Sequence, residues 1–255
     1  MQLQSTIPGT SAFIFNLVPN HSLEEPHIKE LRRQFARDCY VRLPGFLRGE
    51  AFDFVKAEVD RLESRARDKC FEMDGYKTPR VMKALGGQEI LYASPLAFIY
   101  LHYAIRQLIE EIVGTKIFTC QHPNEYMVIN YLLSPGATHG WHLDDPAYAL
   151  VIFIDAPPQE AGGYLEFIPG WRQICLENGL EPEGDVNGLV ASLREQNLIK
   201  SAVHRAGDAY LMRANQCLHR VSEIVAPDVR RVIINMAFEE TSEPVYGMTA
   251  NLLYT

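Results

Sequence analysis

His139-Gly-Trp-His-Leu-Asp-Asp145, with the apolar run Tyr148-Ala-Leu-Val-Ile-Phe-Ile154 close behind it, is the stretch on which the reading of this chain turns. His142 and Asp144 stand two apart, so on a strand both side chains point the same way. Burying a carboxylate without a partner is costly. A His- and Asp-rich segment leading into a buried strand is therefore either a solvated mouth or a cation site. His-x-Asp alone is common, and a lone histidine on a strand is usually a satisfied core residue. Leu218-His219-Arg220 changes the balance by offering a third donor, 77 positions after His142 (219 minus 142). Two imidazoles and one carboxylate close one face of an ion and leave the other open, a donor set suited to Fe(II) that must also bind a co-substrate and oxygen.

Outward from this segment the chain reads as many short strands. Lys116–Cys120, Tyr126–Leu133, Tyr148–Ile154, Gly163–Ile168, Ala209–Arg213 and Arg231–Phe238 are rich in Val, Ile, Tyr and Phe and are separated by Gly, Pro or Asp. That texture predicts a double-sheet jelly roll or barrel. Before it, His27–Asp38, Glu50–Cys70 and Leu96–Val113 have helical periodicity, and Cys39-Tyr-Val-Arg-Leu-Pro-Gly-Phe-Leu47 reads as a strand ending in a Pro-Gly turn. No linker-like composition divides these parts. The expectation is one α+β domain over residues 1–255, a jelly-roll core flanked by N-terminal helices, with an irregular leader at 1–25 and an insertion or lid at 172–205.

The 255 residues are 47% hydrophobic and 22% charged, enough to bury a core and too apolar for disorder. The net charge of −8 argues against nucleic acid as the main partner. Five scattered cysteines without a Cys-x-x-Cys pair fit reduced thiols rather than a disulfide frame or zinc site. No secretory signal or bilayer-spanning run is visible, so a cytoplasmic protein without a membrane partner is expected.

Further candidates cluster on the last strand and on the strand before the motif. Arg230 and Arg231 open the run Val-Ile-Ile-Asn-Met-Ala-Phe, and alternation puts Arg231, Ile233, Asn235 and Ala237 on one face. A guanidinium there would grip a dicarboxylate through its planar fork, or would merely reach solvent. Tyr131 would add a phenol to the same ligand, or pack in the core.

Taken together, these residues resemble the Fe(II)- and 2-oxoglutarate-dependent dioxygenases. His142, Asp144 and His219 match the facial triad of that superfamily. Arg231, with Arg230 as the alternative, matches the arginine that anchors the far carboxylate of 2-oxoglutarate. Cys39–Leu47 is similar to the opening of the phytanoyl-CoA hydroxylase-like branch. More narrowly, His139–Asp145, Gly162-Gly-Tyr-Leu-Glu-Phe-Ile-Pro-Gly170, Leu218-His-Arg-Val221 and Asn235-Met-Ala237 resemble the free-amino-acid halogenases and hydroxylases that include the lysine 4-chlorinases.

That resemblance implies Fe(II), 2-oxoglutarate and O2 as the reacting partners. It implies substrate contacts at His139, Asp145, Glu125, Arg80 and Asn235. Chlorinating members carry glycine where this chain has Asp144, so hydroxylation rather than halogenation is implied. The expected substrate is a free amino acid, basic and lysine-like, since Glu125 and Asp145 suit a cation and Arg80 a carboxylate. Ala237 replaces a hydroxyl-bearing residue of the lysine chlorinases, which keeps the exact substrate open. The alternatives are a non-basic amino acid or another small biosynthetic intermediate and, in a different class, a metal-binding jelly-roll sensor without catalysis. Monomer and homodimer are both compatible with the sequence.

Overall fold

The computed structural model describes residues 25–255. The leader expected at 1–25 lies outside them, save Glu25, where the first helix already starts. The chain runs α1 (Glu25–Asp38), β1 (Tyr40–Leu43), α2 (Gly49–Leu62), a 3-10 turn (Glu63–Arg65), β2 (Arg67–Met73) and β3 (Thr78–Leu85). Three helices follow, α3 (Gly87–Ala93), α4 (Ala97–Tyr100) and α5 (Tyr103–Val113). Then come β4 (Phe118–Thr119), β5 (Met127–Leu132), β6 (Thr138–His142), β7 (Tyr148–Asp155) and β8 (Leu165–Ile168). The remainder is α6 (Trp171–Asn178), α7 (Asn187–Glu195), β9 (Lys200–Ala202), β10 (Ala209–Met212), β11 (Leu218–Val221), β12 (Arg231–Glu239) and α8 (Thr249–Tyr254).

The strands curl into two antiparallel layers. One is ordered β1-β10-β7-β12-β5 and the other β6-β11-β8-β9, with β3 as the seam between them. Lys83–Leu85 of β3 pair with β5, while Arg80 and Val81 pair with β6. Gly140 of the His-Gly-Trp-His motif makes this seam possible. A Cβ there would lie 2.7 Å from the Thr78 side chain and 2.8 Å from the Pro79 carbonyl, which no larger residue tolerates. The expected jelly roll with N-terminal helices is thus the observed fold.

Alternation decides what each strand shows to which side. On β7, Tyr148, Leu150, Ile152 and Ile154 face outward with Val232, Ile234, Met236 and Phe238 of β12. They pack under Ile28, Leu31 and Phe35 of α1, Val55 and Val59 of α2, and Ile105, Ile109 and Ile112 of α5. The intervening Ala149, Val151, Phe153 and Ile233 face the other layer, meeting Leu165, Phe167 and Tyr210. Both faces are covered, which is why β7 and β12 read as nearly unbroken apolar runs.

Two helical expectations are corrected. Glu50–Cys70 is not one helix: α2 stops at Leu62, and Arg67–Met73 pairs along its whole length with β3. The polar, half-exposed residues of β2 carry little strand signal of their own, and the ladder with β3 decides. Leu96–Val113 breaks at His102, whose side chain accepts from the Ala104 amide at 3.3 Å and caps α5. The 172–205 segment forms most of α6, then α7 and β9. Cys175, Val190 and Leu193 pack there with Trp141, Leu143 and Leu218, on the side of β6 and β11 turned away from His142 and His219. Among the described residues no helix is long and apolar enough to cross a membrane.

Candidate metal centre

Three side chains from two neighbouring strands converge between the layers. His142 closes β6, Asp144 follows two residues on, and His219 lies on β11, directly opposite His142 in the ladder. The Asp144 Oδ1 stands 3.4 Å from His142 Nε2 and 3.6 Å from His219 Nε2. One donor atom from each of the three lies within 4.8 Å of the others, the one such His/Cys/Asp/Glu group found among the described residues. Two ligands at right angles, each about 2.1 Å from a divalent ion, stand about 3 Å apart, so the cluster needs only a small contraction.

The backbone sets both imidazoles. His142 Nδ1 donates to the Gly140 carbonyl at 2.7 Å and His219 Nδ1 to the Cys217 carbonyl at 2.9 Å. Each Nε2 then keeps its lone pair for the ion. Burial, and secondly the neighbouring His219, pull His142 down to about 4, so it is neutral as a ligand must be. Burial works to raise Asp144, but His219 and His142 outweigh it and hold the carboxyl below its usual range.

A cavity opens beside this triad. Arg231 enters it from β12, 2% exposed. Its guanidinium lies 5.2 Å over the Phe153 ring, and its Nε has no hydrogen-bond partner. Among the described residues it forms no ion pair, and burial pulls it down to about 10. Gly163 makes room for it: its φ is +72°, and a Cβ would sit 3.3 Å from Arg231 Cδ and 2.6 Å from Ile224 Cδ1. Ala149, Val151, Leu165 and Ile233 supply apolar wall. A buried, unpaired cation in an apolar wall is a socket for a carboxylate.

Arg230 is elsewhere. It is a surface residue bound to Asp60 at 2.9 Å, Glu63 at 3.1 Å and Asp155 at 3.1 Å. Its place as alternative anchor is corrected, because one step along a strand reverses the face. Tyr131 is corrected for the same reason. It packs in the outer core, donating to the Val59 carbonyl at 2.8 Å, while its neighbour Asn130 faces the cavity. The phenol that lines the cavity near Arg231 is Tyr210 of β10.

The other expected contacts gather around the triad to different degrees. His139 stacks on His142 with ring centroids 4.0 Å apart, and its Nε2 has no partner. Burial, then His142 and Arg80, hold it well below its usual pKa. Arg80, fully buried and opposite His139 across the ladder, leaves Nε and Nη2 unpartnered. Burial pulls it down to about 10. Asn235 lines the cavity with an unpartnered Oδ1. Glu125 is buried with Oε2 unpartnered, and burial, reinforced by Asp144, Asp145 and Glu239, pushes it up to about 9. Asp145 is occupied in part, accepting from the Gly247 amide at 2.8 Å. Glu239, Asn130 and Tyr254 belong to the same neighbourhood and carry no sequence signature beyond their position.

With this geometry in hand, the Halogenase D family model matches residues 23–254. The chain belongs to the Halogenase D family. No curated protein sequence matches it. Among solved structures, this member is similar to the non-heme alpha ketoglutarate dependent epimerase SnoN from nogalamycin biosynthesis, at 16% identity and TM-score 0.64, over 87% of this chain and 93% of that one. SnoN in complex with Fe3+, alpha ketoglutarate and nogalamycin RO gives 16% identity and TM-score 0.58, over 87% and 94%. A Pseudomonas putida prolyl-4-hydroxylase gives 15% identity and TM-score 0.54, over 84% and 100%. At such identities the likeness is one of fold. These neighbours differ in reaction, so the Halogenase D member must be read from its own site.

Proposed function

We propose that this chain is an Fe(II)- and 2-oxoglutarate-dependent hydroxylase acting on a free amino acid with a basic side chain. The carrying observation is the Asp144 carboxylate, held against both imidazoles at 3.4 and 3.6 Å. It fills the position that chlorinating relatives leave vacant by carrying glycine. A carboxylate there takes the place a halide would need on the ion, which favours oxygen transfer. When bound, the metal and the keto acid supply the oxidising chemistry: substrate C–H, O2 and 2-oxoglutarate give C–OH, succinate and CO2.

The protein's own residues bind, orient and exclude water. Arg231 would pair with the distal carboxylate of the keto acid, with the Tyr210 phenol beside it. His142, Asp144 and His219 would hold the iron. On the other side, Arg80 and His139 would hold the substrate carboxylate, and Asn235 an adjacent polar group. Glu125, with Asp145, would take the amine. Burial pushes the Glu125 carboxyl up to about 9, so an arriving ammonium ion would draw it into its charged form. Several buried groups without partners, Arg80, Glu125, His139, Asn235 and Arg231 among them, are costly unless a polar ligand completes them.

Succinate release measured across the free amino acids, with products weighed by mass spectrometry, tests this. A basic amino acid should raise succinate above the substrate-free rate and return heavier by one oxygen atom. A chlorinated product, or no response to any amino acid, contradicts it.

A further inference from the structure

Tyr254 lines two cavities. One is the cavity beside the triad; the other is lined by Arg65, Arg67, Gln88, Glu89 and Asn124 among others, and Tyr254 is the sole residue common to both. The ring is held from both ends. At its root, α8 is pinned by Leu253, 2% exposed and packed with Met82, Ala84, Leu132 and Val221. Lys69 of β2 also donates to the Leu252 carbonyl at 2.8 Å and to the Thr255 carbonyl at 3.1 Å. Gly86 lets the helix end come close, since a Cβ there would meet the Tyr254 carbonyl at 2.6 Å and its Cβ at 3.0 Å. At its tip, the hydroxyl lies near Asn130, Glu125, Asp144 and Arg80.

We propose that Tyr254 is a specificity-determining partition: its ring ends the iron pocket and sets how far a substrate can extend, and the cavity behind it is the space a longer substrate would occupy. The identity of the normal substrate rests on the hydroxylase reading above; the wall itself does not. The polar groups nearest the hydroxyl, Glu125, Asn130, Asp144 and Arg80, are placed to hold a ligand, while the Tyr254 side chain packs beside Met82, Ala84, Leu132 and Val221. The ring is the element that closes this end of the space. Arg65 and Arg67 give the outer cavity two cations, one of them paired with Glu89 at 3.4 Å. A longer occupant with an acidic or carbonyl tail would find partners there.

The test uses the full chain loaded with Mn(II) and 2-oxoglutarate, with binding followed by calorimetry. The probes are lysine, and lysine extended at each end: glycyl-lysine, lysyl-glycine and Nε-acetyl-lysine. In Tyr254→Ala, at least one extended probe should gain tenfold or more in affinity relative to lysine. Tyr254→Phe, which keeps the ring and loses only the hydroxyl, should keep the wild-type order of probes. No gain in Tyr254→Ala, or an equal gain in Tyr254→Phe, overturns the proposal. If the wild type binds 2-oxoglutarate but not lysine, the substrate reading fails instead. The partition is then judged by a crystal structure of Tyr254→Ala: one continuous cavity supports it, and two cavities still separated overturn it.

Discussion

Replacing Arg231 by Met should move stability and co-substrate binding in opposite directions. The guanidinium is 2% exposed and unpaired, and burial lowers it to about 10. A cation's depressed pKa is a cost carried at every pH below the depressed value and relieved only as pH rises beyond about 10 towards the ordinary arginine value. A shift of that size corresponds to about 3 kcal/mol, an upper figure because the chain relaxes and Phe153 returns part of it. Arg231→Met keeps the stem and removes the charge. The ligand-free variant should therefore melt higher by up to several degrees, at roughly 2–4 °C per kcal/mol. With Mn(II) present, 2-oxoglutarate should protect the wild type strongly and the variant little. Truncating one member of a buried charge pair costs about 2–5 kcal/mol, or roughly 30- to several thousand-fold in affinity. Differential scanning calorimetry with and without the keto acid reads both effects. A variant that melts lower and still responds like the wild type would refute the argument. Arg230→Ala, on the surface, should leave the 2-oxoglutarate response unchanged.

Other expectations follow from single contacts. Tyr131→Phe should lose about 1 kcal/mol from the broken bond to Val59 and leave the keto-acid affinity as it was, read by the same melts. Glu125→Gln should stabilise the ligand-free protein in a pH-dependent way. The raised carboxyl costs nothing below about 4.5, where both states are protonated, and progressively more as pH rises to about 9. The gap to wild type should widen by up to about 1.4 kcal/mol per pH unit in that window, and a gap that is flat with pH contradicts the placement of Glu125. The same variant should weaken binding of basic amino acids at least tenfold. Asp144→Gly should abolish the hydroxylated product and make the visible spectrum of the iron and keto-acid complex respond to chloride; a spectrum indifferent to chloride would show that other groups block the vacated position.

Much of this site was legible because its residues obey short-range rules. His142 and Asp144 share a face through a spacing of two, and the parity of Arg231, Ile233 and Asn235 set the inner wall of β12. The same rule separates Arg231 from Arg230 and Asn130 from Tyr131, but only once it is known which parity faces inward. Both faces of these strands are buried, so the hydrophobic pattern does not say. Arg80 was found by resemblance although its strand was not. Tyr254, Tyr210 and Glu239 were illegible for another reason. Tyr254 reaches the cavity by the packing of α8 against the β3 seam and Tyr210 by the pairing of β10 with β7, Glu239 comes near Glu125 from the end of β12, and nothing in their local sequence reports it.

The most direct test is an anaerobic absorption spectrum. Fe(II) and 2-oxoglutarate added to the wild type should produce a visible metal-to-ligand charge-transfer band, which requires the keto acid to chelate an iron held by His142, Asp144 and His219. His219→Ala should lack the band while remaining folded by circular dichroism. A wild type with no band, or a His219→Ala variant with an undiminished one, would contradict the iron centre on which this account stands.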